Sequence, residues 1–527
     1  MRATMPRDFH VFDTTLRDGA QQEGIHLNVH DKLRVAGLLD AFGVTFIEGG
    51  WPGANPSDTA FFAAARALEW RHAALVAFGA TRRVGMTAAA DPLVQALVDA
   101  GTDVVCLVAK SHDRHVADAL KTTLDENLAM VRDTVAHLTG LGKRVFVDCE
   151  HFFNGWLDNS DYALTVVGTA VAAGAEVVVL CDTNGGMLPS QVAEITAQVV
   201  PHAPKVGIHC HNDTGCAVAN TLAAVEAGAE HVQGTVNGYG ERTGNADLTT
   251  VIADLQLKWG WPVVPADALR ELTHLSHAVA EIANQAAFAR QPYTGASAFA
   301  HKAGLHASAI RVNADLYQHT DPDLVGNGMR MLISDMAGRA NIQIKAEQLG
   351  HDLADRDLAA RVADRIKERE AAGYSYEAAD ASFELLLRRE LGQVAEAFAV
   401  ATWRVYTDQD ELSQAVIRVA CGGEEPRPYV GEGNGPVNAL DQALRQALAP
   451  RHPLVAEFEL ADYRVRLLDD GHGTDAITRV LIDTRRGDET WTTVGIGGNV
   501  IEASWEALLD AFNYGLLTAA GQPPTAG

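Results

Sequence analysis

Over roughly the first 240 positions, short apolar runs alternate with longer stretches of helical period. The runs occupy 10–14 (HVFDT), 44–48 (VTFIE), 75–79 (LVAFG), 103–108 (DVVCLV), 144–149 (RVFVDC), 176–181 (EVVVLC), 206–209 (VGIH) and 231–236 (HVQGTV). Between them lie Ala- and Leu-rich segments such as 31–42 and 91–100. Gly43, Gly101 and Gly228 each follow such a segment just before the next run, the signal of a left-handed helix cap. Strict alternation with strands apolar on both faces predicts a parallel sheet. Eight units predict a closed (β/α)8 TIM barrel. The open doubly wound alternative lacks a GxGxxG after the first strand.

After Trp261-Pro262 the β-like runs stop, and 266–394 reads as helical linker subdomains, with helices over 269–285 and 355–371. The stretch 321–327, rich in Gly, Asn and Asp, breaks this region into parts. The section 395–520 carries an internal repeat. VGEGNGPVNALDQAL at 430–444 and VGIGGNVIEASWEAL at 494–508 each follow two β-like runs (403–406 and 415–420; 463–467 and 476–483). Each copy reads as a Gly-rich turn opening a helix. Two β-β-β-α halves predict a pseudo-twofold α+β domain with a central groove. The glycines serve either tight turns or an anionic group at the helix start, the first being favoured. The expected domains are therefore a catalytic barrel over 1–265, the linker over 266–394, a regulatory domain over 395–520 and a disordered tail over 521–527.

Catalytic groups of such barrels sit just beyond the C-terminal strand ends. Here the first strand is followed by Arg17-Asp18, the second by Glu48, the third by Arg82-Arg83 and the fourth by Lys110-Ser-His112. The fifth is followed by Glu150-His151, the sixth by Asp182-Thr183-Asn184, the seventh by His209 and His211, and the eighth by a loop containing Asn245. Residues i and i+2 of a strand face the same side, so His209 and His211 converge while Cys210 turns away. Asp18 can add a carboxylate and Asn245 a carbonyl oxygen. That set suits Mg²⁺, Mn²⁺ or Zn²⁺ with positions left open, and the lack of thiolates argues against a closed structural zinc site. Arg17, next to Asp18, can hold a developing oxyanion; the plainer alternative is an ion pair with Glu48 or Glu150.

Composition narrows the function class. Net charge is −26, from 42 basic and 68 acidic residues, which argues against binding a phosphate backbone. Six cysteines occur and none forms a CxxC, so reduced thiols in a cytoplasmic protein are expected. No stretch approaches the ~18–20 apolar residues of a membrane span, and the N-terminus lacks a signal-peptide core. Neither nucleic acid nor membrane is expected as a partner.

TTLRDGAQQEG, IEGGWPGANP, CDTNGGMLP, HCHNDTGCAVANTLAAVEAGA and NGYGERTGNADL together resemble the 2-isopropylmalate, homocitrate and citramalate synthase family, the DRE-TIM metallolyases. The resemblance covers nearly the whole chain. It implies an acyltransferase that condenses acetyl-CoA with a 2-oxo acid. GGWPGANP and GYSYEAADASFELLLRR most resemble the branch whose oxo acid is pyruvate, which leads to isoleucine. A 2-isopropylmalate synthase using 2-oxoisovalerate is the near alternative; a hydroxyacyl-CoA lyase or a non-catalytic amino-acid sensor is more remote. Carried over by position, Asp18, His209, His211 and Asn245 match metal ligands and Arg17 the catalytic arginine. Glu150 and Thr183 match the oxo-acid site, to which Glu48 is added. His306 matches a base for the acetyl methyl proton and Tyr317 a supporting tyrosine. Some relatives have an acidic residue two positions after that histidine; here it is Ser308, so the partner of His306 stays open. The resemblance further implies a domain-swapped homodimer, and isoleucine or leucine as an effector of the C-terminal domain.

Overall fold

The computed structural model describes residues 5–334, 336, 338–393, 396–408, 412–468 and 476–519. Two compact units result: Met1–Phe299 with Thr320–Gly328, and Ala300–His319 with Met329–Gly527.

The first unit is a closed parallel barrel of eight strands in sequence order. They are β1 (His10–Asp13), β2 (Phe46–Gly50), β3 (Ala74–Ala80), β4 (Val104–Lys110), β5 (Arg144–Glu150), β6 (Val177–Asp182), β7 (Val206–Cys210) and β8 (His231–Gly234). Closure is made by β1 pairing with β8, with Phe12 opposite Gln233. Alternation along each strand sorts the side chains. Val11, Ile47, Val105, Val145, Ile208 and Val232 pack outward against the helices. Phe12, Phe46, Val104, Phe146 and Val177 fill the interior. A strand with apolar residues on both faces is stable only when both are covered, as the ring of helices does here.

Two barrel strands fall two residues short of expectation at one end. β2 begins at Phe46 rather than 44, because Gly43 (φ 93) turns the chain out of the helix Val29–Phe42 and Val44 still belongs to that turn. β8 stops at Gly234, where the backbone amide of Thr235 turns to the carbonyl of Ala246. The helix expected over 269–285 is split into Ala266–Leu269 and Leu272–Ile282.

In the second unit, short strands β9 (Ala300–His301) and β10 (Arg330–Met331) pair in parallel. The helices Arg339–Gln348, Arg356–Ala371 and Asp380–Glu390 bury Ile342, Val362, Ile366, Phe383 and Leu387 together. Two antiparallel three-stranded sheets follow. One runs β11 (Phe398–Tyr406), β12 (Ser413–Cys421), β13 (Arg427–Gly433), then the helix Pro436–Leu448. The other runs β14 (Glu459–Leu467), β15 (Thr478–Arg486), β16 (Glu489–Gly497), then the helix Val500–Ala519. The βββα repeat is present as expected.

Four of its glycines do something other than turn, while Gly435 and Gly498 lie in the bends before the helices. Gly431 and Gly433 lie within β13, and Gly495 and Gly497 within β16. A Cβ on Gly433 would meet the backbone nitrogen of Ala439 at 2.6 Å, and one on Gly497 that of Ala503 at 2.7 Å. A Cβ on Gly431 or Gly495 would run into helix backbone as well, at Ala439 and Ala443 or at Ala503 and Ala507. The missing side chains let each helix lie directly on its sheet. The tail at 521–527 lies outside the described residues. Among those described, no helix is long and apolar enough to cross a membrane.

Candidate active site

The C-terminal mouth of the barrel collects polar groups from three loops. One ligand atom from each of Asp18, His209 and His211 lies within 4.8 Å of the others, and all three residues are buried. Asp18 follows β1, His209 lies in β7 and His211 just beyond it, their rings 5.3 Å apart. Asn245 reaches them because its backbone bridges to His211 beyond the end of β8. Its Nδ2 donates to Asp18 Oδ1 at 3.0 Å and to the Tyr239 carbonyl at 2.9 Å.

Two buried atoms here have no hydrogen-bond partner among the described residues: Asn245 Oδ1 and His211 Nδ1. Buried polar atoms are seldom left so, because the desolvation cost is not returned. A cation would satisfy both. One carboxylate, two imidazoles and one amide oxygen suit a divalent metal with open positions. The charge states agree. Burial works to raise the Asp18 carboxyl, but Arg17 and both imidazoles outweigh it and hold it well below the usual range. Burial, helped by His209, pushes His211 down to about 4, so its ring is neutral at pH 7, as a ligand must be.

Arg17 stands beside this group. Its Nη1 donates to Asp18 Oδ2 at 2.7 Å and its Nε to Glu48 Oε2 at 2.7 Å. Thr14 Oγ1 donates to the same Glu48 oxygen at 2.6 Å. Of the two expected ion pairs, Arg17 makes the one with Glu48; Glu150 is paired with Lys110 instead. The guanidinium also lies 3.9 Å from the Phe78 ring centre, and Trp51 meets Phe78 edge-on at 5.3 Å. Among the described residues no acceptor engages Nη2 of Arg17.

Thr183 Oγ1 accepts the backbone N–H of His151 at 2.9 Å, which leaves its proton available. His306 and Tyr317 belong to the second unit, where their rings stack at 4.2 Å. Other strand-end residues do not take part. Arg82 is held by Asp133 and Glu126, Arg83 by Asp91, and His112 caps the helix Asp113–Asp118. Polarity at a strand end is therefore shared between the mouth and the flanking helices.

Beneath the site lie groups that the strand-end rule does not find. Cys106, Asp148 and Gln233 point into the barrel from within β4, β5 and β8 and are buried. His209 Nδ1 and Gln233 Oε1 are 2.8 Å apart, Gln233 Nε2 donates to Asp148 Oδ1 at 3.0 Å, and Cys106 Sγ is 3.2 Å from the same oxygen. Burial raises both Glu48 and Asp148, with Arg17 opposing it at each. Their signal in the sequence is a polar residue at an inward position of an otherwise apolar run, as in VFVDC and HVQG.

The chain matches known families along most of its length. An HMGL-like family model matches residues 8–279, a homocitrate synthase post-HMGL domain-like model residues 293–373, and a LeuA allosteric (dimerisation) domain model residues 377–516. An (R)-citramalate synthase of Streptomyces coelicolor is 60% identical, covering 99% of this chain and 100% of its own length. An (R)-citramalate synthase of Synechocystis is 47% identical, over 98% of this chain and 97% of its own. A probable 2-isopropylmalate synthase of Methanopyrus kandleri is 34% identical, over 97% of this chain and 98% of its own.

Proposed function

The chain belongs to the HMGL-like family, in its (R)-citramalate synthase branch, and from that premise we propose that it condenses acetyl-CoA with pyruvate to give (R)-citramalate and CoA. It is an acyltransferase of the class that turns the acyl group into an alkyl group on transfer. The observation that carries the site assignment is the convergence of Asp18, His209 and His211 with the unpaired Asn245 Oδ1, beside a guanidinium with a donor to spare.

Asp18, His209, His211 and Asn245 would hold a divalent ion, Mg²⁺, Mn²⁺ or Zn²⁺. When bound, it supplies Lewis-acid polarisation of the oxo-acid carbonyl. The residues of the chain do the rest. Thr183 donates its hydroxyl proton to the carboxylate of pyruvate and fixes its orientation. Arg17 offers Nη2 to the keto oxygen, and Glu48 keeps the guanidinium from swinging away. His306, backed by Tyr317, takes a proton from the acetyl methyl group. The methyl carbon then bonds to the keto carbon, and the keto oxygen becomes an alkoxide that Arg17 stabilises and that is protonated. Water adds to the thioester carbonyl and CoA leaves as the thiol. Glu150, paired to Lys110, lines the same mouth.

Pyruvate is preferred to a branched oxo acid on the identity of the relatives. The relatives at 47% and 60% identity are citramalate synthases, whereas the 2-isopropylmalate synthase match is more distant. The product then leads through 2-oxobutyrate to isoleucine. The domain matching the LeuA allosteric (dimerisation) model supports a homodimer under feedback control, with domain swapping and isoleucine or leucine as effector as the finer reading. All six cysteines are free, which suits a reducing cytoplasm.

The test is CoA release with pyruvate, 2-oxobutyrate, 2-oxoisovalerate and 2-oxoglutarate, with and without divalent metal. Pyruvate should give the largest kcat/KM. A preference for 2-oxoisovalerate moves the chain to the leucine pathway, and no release with any acid sinks the synthase reading.

A further inference from the structure

Gln233 sits one hydrogen bond behind His209 and is itself held from behind, and that order fixes a chemical state. A carboxylate accepts hydrogen bonds and an amide nitrogen only donates them. Asp148 Oδ1 receives Gln233 Nε2 at 3.0 Å on one side and the Cys106 thiol at 3.2 Å on the other. With its Nε2 turned to Asp148, the amide presents its oxygen to His209, at 2.8 Å. An oxygen there can only accept, so the imidazole carries its proton on Nδ1. Nε2 stands 3.7 Å from Asp18 Oδ2, on the side where the ligand atoms gather. Gln233 is 1% exposed and Asp148 4%, so water does not compete for either bond.

We infer that Gln233 is a positioning residue: anchored by Asp148 and Cys106, it locks His209 in the Nδ1–H tautomer and so reserves Nε2 for the metal. This inference rests on the metal reading of the site. The opposite tautomer would place an N–H among the ligands and cost affinity for any cation. Carboxylate or carbonyl partners commonly orient metal-bound histidines in this way, and their loss costs about 10–100-fold in metal affinity. Here a carboxamide intervenes. It relays the orientation of a buried carboxylate without placing its charge against the imidazole.

Two measurements on the full chain test it. The first is Mn²⁺ affinity by calorimetry for the wild type, Gln233→Leu and Gln233→Glu. Leu removes the acceptor, and affinity should fall about 10–100-fold. Glu restores an acceptor for the Nδ1 proton and should recover most of the loss, which a purely structural role would not predict. The second is ¹⁵N NMR of the metal-free, histidine-labelled wild type, with His209 assigned by difference against His209→Gln; the Nδ1–H tautomer should dominate. Gln233→Leu binding Mn²⁺ within threefold of the wild type overturns the inference. An Nε2–H tautomer in the wild type does so too, and decides the matter even if the Leu variant does not fold. A wild type that binds no Mn²⁺ overturns the metal reading itself and takes the purpose of Gln233 with it.

Discussion

Arg17 Nε donates to Glu48 Oε2 at 2.7 Å, and the Glu48 side chain is wholly sealed from solvent. The bond, with the one from Nη1 to Asp18, fixes the plane of the guanidinium, so Arg17 need not find its orientation at each turnover. Arg17→Ala should lower kcat ~10²–10³-fold, the usual cost of losing an oxyanion partner. Glu48→Gln keeps an acceptor but loses the charge, and should fall between that variant and the wild type. Steady-state CoA release measures both. Near-wild-type turnover in Arg17→Ala removes it from the chemistry.

Chelation should silence the enzyme. Dialysis against EDTA is expected to abolish CoA release, and Mg²⁺ or Mn²⁺ to restore it. Asp18→Asn should need at least tenfold more metal for half-maximal activity. Full activity in metal-free protein contradicts the ligand assignment.

Acid should loosen the barrel from the end remote from the site. His10 Nδ1 lies 3.2 Å from His231 Nδ1 in the interior. Burial, reinforced by Lys205, pushes His10 down to about 4, and burial also drives His231 well below its ordinary value. Both rings are neutral when folded and protonate more readily when unfolded. Their stabilisation is thus present above about pH 6.5 and lost as pH falls towards 4. For His10 alone the loss is at most about 3 kcal/mol. Urea unfolding of the barrel between pH 7 and 4 should show it, and His10→Gln should flatten the slope. Equal slopes in the two proteins count against this origin.

Gly495→Ala should destabilise the C-terminal domain by ~1–3 kcal/mol, because the new methyl forces the helix Val500–Ala519 off its sheet. A lower calorimetric Tm for that domain is expected. An unchanged Tm means that the helix yields at no cost.

Removing residues 395–527 should abolish inhibition by isoleucine or leucine while binding of the oxo acid persists. Such coupling is typically ~1–3 kcal/mol, a 5–150-fold shift in apparent affinity. Inhibition that survives the truncation puts the effector elsewhere.

The barrel was readable because its strands are buried on both faces, and few other arrangements leave eight such runs in one chain. His209 and His211 were readable because strand period two puts them on one side, and Asp18 because it follows the first strand. Asp148 and Gln233 were not. The rule that places chemistry beyond strand ends passes over a polar residue inside an apolar run, and only the register between β5, β7 and β8 brings these two behind His209. The choice of Arg17 between Glu48 and Glu150 depended on Lys110, a residue of another strand. Gly433 and Gly497 misled for a plainer reason. Glycine marks a turn in most contexts, and close approach of helix to sheet leaves the same mark.

Asp18 and Asn245 are 227 residues apart, yet they share a hydrogen bond across the seam where β1 meets β8. The cluster of Asp18, His209, His211 and Asn245 therefore does not exist in a growing chain until the eighth strand has been made and has found the first. A cation held by these residues would work as a clasp. Whatever binds there ties the beginning of the barrel to its end, so its binding energy opposes unzipping at the one junction that no helical crossover covers. Amides flanking that seam should be the first to exchange with solvent when the ion is withdrawn.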